Sequence, residues 1–248
     1  MNAYRGLAAS YDGLQSEVDY AALAKSCVEL FSFADIGVKT VLDLACGTGT
    51  LLCKLAGRGY ETIGTDGSPD MLSVAAQKCA DLPDGCVRPL LLGQAMEELD
   101  LYGTVDAAVC TLDSLNYLDS DALKETLRRL RLFIAPGGIF IFDVNSLSKF
   151  RAMDGKVFAS ESEDALSLWR CRFDEEEGEC VIELDAFSRA GSLWSRSSEE
   201  HVEFYHSEEA LRKALAKAGF SVERVFDGYP GALADGEGSR LVFACKRK

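Results

Sequence analysis

Val41-Leu42-Asp43-Leu44-Ala45-Cys46-Gly47-Thr48-Gly49 is the stretch that decides the fold of this chain. Val41, Leu42 and Leu44 suit a strand covered on both faces, and Gly47 and Gly49 let backbone approach a ligand without interference from a Cβ. A helix is expected directly after, so the segment reads as the strand, turn and helix of a nucleotide-binding crossover. A second signal follows at the spacing such a unit needs. Thr62-Ile63-Gly64-Thr65-Asp66 reads as the next parallel strand. It ends in a carboxylate about 20 residues beyond the glycines, where an acidic side chain can accept both hydroxyls of a ribose.

Two details narrow the ligand. A dinucleotide fingerprint has a third glycine for tight helix packing, and Leu52 follows the pair here, which argues against NAD. Asp43 lies inside the strand end, where a carboxylate favours a cationic ligand over a pyrophosphate. On these residues, Asp43-Leu44-Ala45-Cys46-Gly47-Thr48-Gly49, the chain resembles the first motif of class I S-adenosylmethionine-dependent methyltransferases, whose cofactor carries a sulfonium and an ammonium. The resemblance implies that Asp43 faces the methionine ammonium, with the turn from Ala45 through Gly47, Thr48 and Gly49 under the methionine and ribose. It also implies that Asp66 holds the ribose hydroxyls with Gly67 beside it, that Met71 lies against the adenine, and that S-adenosylhomocysteine is the product. Met71 suits a plain core position equally well, and Cys46 reads as a small apolar filler rather than a nucleophile.

After the third strand the family usually has an acid that accepts the adenine amino group, and this chain departs from it at Gly93-Gln94-Ala95-Met96, where Ala95 takes the acid's place. Gln94 can accept through its amide oxygen while the Ala95 amide and Met96 frame the ring, and Glu97 is a second substitute. The loop Cys110-Thr111-Leu112-Asp113-Ser114-Leu115-Asn116-Tyr117-Leu118 is similar to that of a bacterial subgroup of small-molecule methyltransferases. By that likeness Leu112 and Asp113 contact the methionine, and Asp113, Asn116 or Tyr117 orients an amine or hydroxyl nucleophile. Tyr4-x-x-Leu7-Ala8-x-x-Tyr11-Asp12 is similar to the same subgroup's entry segment, in which a tyrosine folds over the cofactor. Tyr11 is then expected at the cofactor and Tyr4 at the substrate. Both tyrosines serving only to staple a helix to the sheet is an equal alternative.

Composition bounds the rest. The chain has 248 residues, 48% of them hydrophobic, enough for one α/β domain with an insertion. A net charge of −14 argues against nucleic acid as the main partner, because phosphate binding needs a concentrated basic face. There is no run of 18 apolar residues and no signal-peptide core at the N-terminus. Nine cysteines, an odd number scattered through apolar segments, fit buried thiols in a reducing compartment. The expectation is a cytoplasmic protein, monomer or homodimer, with no membrane partner; no CxxC pair or His/Cys cluster suggests a metal.

Apolar periodicity switches repeatedly between helical spacing and short buried runs, the mark of a doubly wound α/β sheet. Helices are expected over 17–34, 49–58, 69–81, 120–134 and 207–218, and strands over 87–92, 105–110, 138–144, 221–227 and 241–245. Ser68 and Pro69 start the third of these helices, Ser120 and Asp121 the fourth, and Pro136-Gly137-Gly138 stops the fourth. The family likeness implies a seven-stranded Rossmann-like sheet, mostly parallel, with the last strand antiparallel. Residues 1–149 and 207–248 then form the cofactor-binding core.

The segment 150–206 breaks the alternation. Cys180, Ile182, Leu184 and Ala186 alternate with polar residues, and a second run over 166–173 precedes the turn signal Asp174-Glu175-Glu176-Glu177-Gly178. Three or four antiparallel strands inserted here make a small sheet expected as a lid over the ligand edge; a sheet that packs on a neighbouring subunit, or merely thickens the domain, is the alternative. The two histidines of the chain, His201 and His206, lie near its last strand beside Glu199, Glu200, Glu203 and Tyr205. Either histidine is a candidate base, and because His201, Glu203 and Tyr205 share one face along that strand, His201 with Tyr205 and Tyr117 is also a candidate substrate contact; a solvated surface histidine is the plainer reading. The expected activity is methyl transfer to a nitrogen or oxygen of a small molecule. The alternative is a nucleotide-binding regulatory or interaction protein that keeps the pocket without transfer.

Overall fold

A computed structural model describes residues 7–15, 17–230 and 238–248. Among the described residues seven α-helices lie in chain order: α1 (Tyr11–Leu14), α2 (Tyr20–Leu30), α3 (Thr50–Ala56), α4 (Pro69–Ala80), α5 (Ser120–Phe133), α6 (Leu147–Met153) and α7 (Glu208–Ala218). The strands are β1 (Thr40–Leu44), β2 (Glu61–Asp66), β3 (Leu90–Gly93), β4 (Val105–Cys110), β5 (Ile134–Asn145), β6 (Val157–Glu161), β7 (Ala165–Asp174), β8 (Glu179–Ala190), β9 (Leu193–Phe204), β10 (Phe220–Asp227) and β11 (Arg240–Arg247). The main sheet runs β10-β11-β5-β4-β1-β2-β3, with β11 antiparallel to both of its neighbours. The doubly wound sheet with an antiparallel last strand is therefore as expected.

Alternation along the central strands feeds two cores. Leu42 and Leu44 of β1 with Phe140 and Phe142 of β5 pack under α5 and α7. Val41, Ala107, Val109, Ile139 and Ile141 pack under α2 and α3 on the other side. Because consecutive strand residues point to opposite faces, continuous apolar runs are what a sheet buried on both sides requires.

Several boundaries differ from the sequence expectation for identifiable reasons. Strand β3 begins at Leu90, because Pro89 has no N–H to give a ladder. Asp19 and Asp119, rather than Ser120, cap α2 and α5 by accepting two backbone N–H groups each. Pro136-Gly137-Gly138 does not end α5; the helix stops at Phe133 and those residues form an irregular stretch of β5 opposite Asp106. A Cβ on Gly138 would sit 2.5 Å from the Asp106 carbonyl, so only glycine lets the strands close there.

Strands β6 to β9 form a separate antiparallel sheet. Its inner face, with Ile182, Leu184 and Ala186 of β8, is covered by Leu7 and Leu14 at one end and by Phe150 of α6 at the other. Among the described residues no helix is long and apolar enough to cross a membrane.

Candidate active site

The carboxyl ends of β1, β2 and β4 converge where the strand order reverses, which is where open α/β sheets bind ligands. A cleft with an empty volume of about 1150 Å³, its open mouth included, lies there. Its floor is the β1–α3 turn. Ala45, Gly47 and Gly49 take φ of 59°, 53° and 73°, so left-handed residues alternate along the turn and curl its backbone into a cradle. A Cβ on Gly47 would meet nothing within 4 Å, so this glycine answers to its backbone conformation alone. Gly49 has a different task and is not in the lining. Its Cβ would come 2.9 Å from the Ala75 Cβ, so it brings α3 against α4.

Leu52, at the position of the absent third glycine, is accommodated from the strand side. A Cβ on Gly64 of β2 would lie 2.7 Å from Leu52 Cδ2 and 2.9 Å from Cys46 Sγ. The close contact of helix and strand survives with the glycine moved to the strand. Cys46 fills the same space, and burial pushes its thiol up, consistent with a filler.

Asp43 lines the floor at 2% exposure, and its Oδ2 has no hydrogen-bond partner. Burial, reinforced by the charge of Asp66, pushes its carboxyl up to about 8. Asp66 accepts from Gly47 N–H through Oδ2 and from Ser68 N–H through Oδ1, each at 2.8 Å. It therefore pins the turn to the start of α4 as well as facing the cleft. An unpartnered carboxylate oxygen at this depth fits the cationic methionine end of S-adenosylmethionine and has no use for a pyrophosphate.

Of the expected cofactor residues, Tyr11, Ala45, Thr48, Gly67, Met71, Gln94, Ala95, Met96 and Leu112 also line the cleft. The Gln94 amide is committed elsewhere: it donates to the Asp100 carbonyl at 3.0 Å and accepts from the Asp100 N–H at 3.1 Å. Glu97, on the turn Met96–Glu98, lines the cleft and supplies an acid near Ala95. Thr111, Ser114 and Leu118 of the β4 loop also line the cleft without an expected role, and Tyr20, Thr50, Leu51 and Ser68 were missed because they stand at helix starts with no motif of their own. The N-terminal segment closes one side. Asp12 accepts from Thr48 Oγ1 at 2.7 Å and Thr50 Oγ1 at 3.2 Å and pairs with Lys78, which itself donates to both threonines. Tyr4 lies outside the described residues.

The expected catalytic side chains fall differently. Asn116 is fully buried and outside the lining; it accepts from Asn145 N–H at 2.9 Å and donates to the Phe204 carbonyl at 2.8 Å, tying β9 to the end of β5. Asp113 is also outside the lining, its Oδ1 accepting from Arg240 at 2.8 Å. Tyr205 packs on Phe150 in the second sheet's own core. Tyr117 does line the cleft, and the His201 ring meets it edge-on at 5.9 Å.

Neither histidine is a solvated surface group. His201 is 2% exposed, its Nε2 is 3.2 Å from Glu199, and burial lowers its pKa. His206 is bonded to the Leu118 carbonyl and is a staple. Glu203, next along the same inner face, accepts from Asn145 Nδ2 at 3.2 Å, and burial with the nearby Asp113 pushes it up to about 8.

A buried network that the sequence did not disclose holds the β4 loop. Leu112 and Asp113 take φ of 57° and 56°, two consecutive non-glycine residues in the left-handed region, at about 1–3 kcal/mol each. Asp143 accepts both of their N–H groups at 2.8 Å, the Tyr229 hydroxyl at 2.7 Å and an Arg240 N–H. A lone acid inside the apolar run Ile139-Phe140-Ile141-Phe142-Asp143-Val144 was the available signal.

Comparison with known proteins agrees with this geometry. The family described as "Methyltransferase domain" matches residues 41–138. "Putative methyltransferase YqeM" of Bacillus subtilis (strain 168) is 32% identical over 98% of this chain and 97% of its own length. The crystal structure of an S-adenosylmethionine-dependent methyltransferase from Clostridium acetobutylicum ATCC 824 superposes with a TM-score of 0.85 at 29% identity, covering 99% of both chains. A dTDP-3-amino-3,4,6-trideoxy-alpha-D-glucopyranose N,N-dimethyltransferase of Streptomyces venezuelae is 29% identical over half of each chain.

Proposed function

This chain belongs to the class I S-adenosylmethionine-dependent methyltransferases, and from that premise we propose that it methylates an amine nitrogen of a small molecule. When bound, S-adenosylmethionine supplies an electrophilic methyl on its sulfonium. The chain's own part is to hold and to orient. Asp43 offers its unpartnered oxygen to a cation, Asp66 keeps lone pairs for ribose hydroxyls beyond those it gives the turn, and Met71 and Met96 flank the adenine. Glu97 replaces Gln94 in this reading as the acceptor for the adenine amino group, because the Gln94 amide is spent on Asp100.

The observation that carries the choice of nitrogen is the acidic balance beyond Tyr117. Glu199 lies 3.2 Å from the His201 ring that meets Tyr117, and behind it Asp113 and Asp143 share a single guanidinium, Arg240. These acids outnumber the one guanidinium among them, and that excess behind the Tyr117 wall favours an ammonium over a carboxylate in the cleft. An ammonium must shed a proton before it attacks. His201, kept neutral by burial and held beside Glu199, is the group suited to accept it, past the Tyr117 ring. The Streptomyces venezuelae relative, named as an amino-sugar N,N-dimethyltransferase, supports the same acceptor class.

In this reading β6 to β9 act as the lid expected of residues 150–206, with Asn116 and Asn145 as its attachment to the core. The proposal extends to a cytoplasmic protein without nucleic-acid or membrane partners, supported by the −14 charge and nine free thiols.

The test offers isotopically methyl-labelled S-adenosylmethionine with a panel of amino sugars, amino acids and simple amines, each matched by its hydroxyl or carboxyl counterpart. Transfer to amines is expected, and His201→Ala is expected to lower kcat by about 10²–10⁴. Transfer confined to hydroxyls or carboxyls overturns the nitrogen reading. Tight cofactor binding with no transfer to any acceptor would support the regulatory alternative instead.

A further inference from the structure

We propose that Asp143, backed by Arg240 and Tyr229, is the positioning unit that holds the Leu112–Asp113 turn left-handed and so sets the Thr111–Leu118 wall of the cofactor cleft. Two parts of the chain distant from this turn in sequence converge on it: β5 supplies Asp143, and the β10–β11 hairpin supplies Tyr229 after β10 and Arg240 at the start of β11. One carboxylate takes both strained N–H groups, and Arg240 bonds the clamp (Asp143) and the clamped residue (Asp113 Oδ1) at once.

A turn needed only for chain reversal would be met by glycine, which adopts positive φ freely. Glycine at Leu112 would forfeit packing, because this residue lines the cleft and its side chain packs against the core of Val41, Val109 and Ile141. The strain is therefore kept and opposed by a buried acid. That acid is fully buried, and burial pushes it up while Arg240 draws it down, so the arginine favours the ionised form that accepts from all its partners. Arg240 and Tyr229 are buried too, which leaves the clamp shielded from water competition. Its output is a shape, the fixed position of Leu112, Ser114 and Tyr117 around the bound cofactor.

The inference rests on the cleft being the cofactor site, and its test keeps the two separable. Backbone amide exchange is measured without ligand at Leu112 and Asp113, against Ala108 and Val109 in β4, for wild type, Asp143→Asn, Arg240→Met, Arg240→Lys and Tyr229→Phe. Affinity for S-adenosylhomocysteine is then measured by calorimetry well below each variant's own melting temperature. In Asp143→Asn, exchange at the two turn amides is expected to rise at least about tenfold with β4 unchanged, and affinity to fall about tenfold. Arg240→Lys should recover affinity to within about threefold of wild type where Arg240→Met does not. Tyr229→Phe removes a single donor, should shift both readouts less and in the same direction, and decides the matter if Asp143→Asn does not fold. Unchanged exchange and affinity in the folded variants overturns the proposal, as does a uniform rise of exchange that includes β4. Failure of the wild type to bind S-adenosylhomocysteine would count against the cofactor reading, while the exchange readout would still judge the clamp.

Discussion

Asp43 is a carboxyl buried at 2% exposure with one oxygen unpartnered, an arrangement that is costly as an anion until a cation arrives. Its carboxyl titrates near 8, first because of burial and then because of Asp66. At neutral pH the free protein holds a proton there that the cofactor's ammonium must displace. Affinity for S-adenosylmethionine is thus expected to fall as pH drops below about 8, by up to one decade per unit. Above about 8 it falls again as the cofactor's own α-amine deprotonates. Calorimetry in buffers of different ionisation enthalpy should show a proton released near neutral pH, and Asp43→Asn should bind more weakly with the acid limb gone. A wild-type affinity that does not change between about pH 6 and 8 would refute this linkage. A second residue-scale exchange concerns Leu52 and Gly64. Gly64→Ala overpacks against Leu52 and Cys46 at a cost of about 1–3 kcal/mol. Leu52→Ala empties the same fully buried space at about 2–5 kcal/mol. The double variant should lose at least about 1 kcal/mol less than the sum of the singles in urea unfolding, since each change makes room for the other. Strict additivity would mean the two residues do not share that volume.

At the scale of elements, α1 is four residues long and makes its polar contacts with the cofactor turn through Asp12 and its apolar contacts with the second sheet through Leu14. A helix this short does not stand alone, so those contacts decide its place. Asp12→Ala is expected to speed cofactor dissociation about tenfold in stopped-flow fluorescence, with the melting temperature almost unmoved because the pair is partly solvent-exposed. An unchanged dissociation rate would make α1 a bystander. Elements also show where the sequence was readable. Long, two-sided strands and capped helices such as Pro69–Ala80 were legible, because apolar period and capping chemistry act locally. The β1–α3 turn was legible for the same reason. The roles of Asn116 and Tyr205 were not, because their partners, the Phe204 carbonyl and the Phe150 ring, lie far along the chain, and Gln94 was misread because its partner is the Asp100 backbone, which carries no residue signature. The clamp of Asp143, Tyr229 and Arg240 joins positions up to 97 apart and left only a lone acid in an apolar run as its trace.

Over the whole molecule, buried acids and buried histidines pull stability in opposite directions with pH. Asp43 and Glu203 titrate near 8 in the folded protein, against values of about 4 in an unfolded chain. As pH falls from about 9 to 6.5 the folded protein takes up protons there that the unfolded chain does not, so it gains stability by up to about 1.4 kcal/mol per unit for each proton. His201 and His206 are lowered by burial, so below about 6.5 the unfolded chain binds protons there first and their contribution is lost as pH falls. The two effects meet in a plateau below that point. A charge of −14 adds self-repulsion that acid relieves, reinforcing the rise. The cofactor-free protein should therefore melt roughly 10 °C higher near pH 6.5 than near pH 9, since two groups titrating near 8 contribute about 2 kcal/mol each across that window and each kcal/mol is worth roughly 2–4 °C for a chain of this size. Saturating S-adenosylmethionine should shrink that difference, because its ammonium restores the Asp43 carboxylate, and Asp43→Asn should remove about half of it when Glu203 is left alone. A calorimetric melting temperature that climbs steadily from pH 6.5 to 9 without cofactor would show that the buried carboxylates are ionised in the free protein, and would remove the ground for proton release on cofactor binding as well.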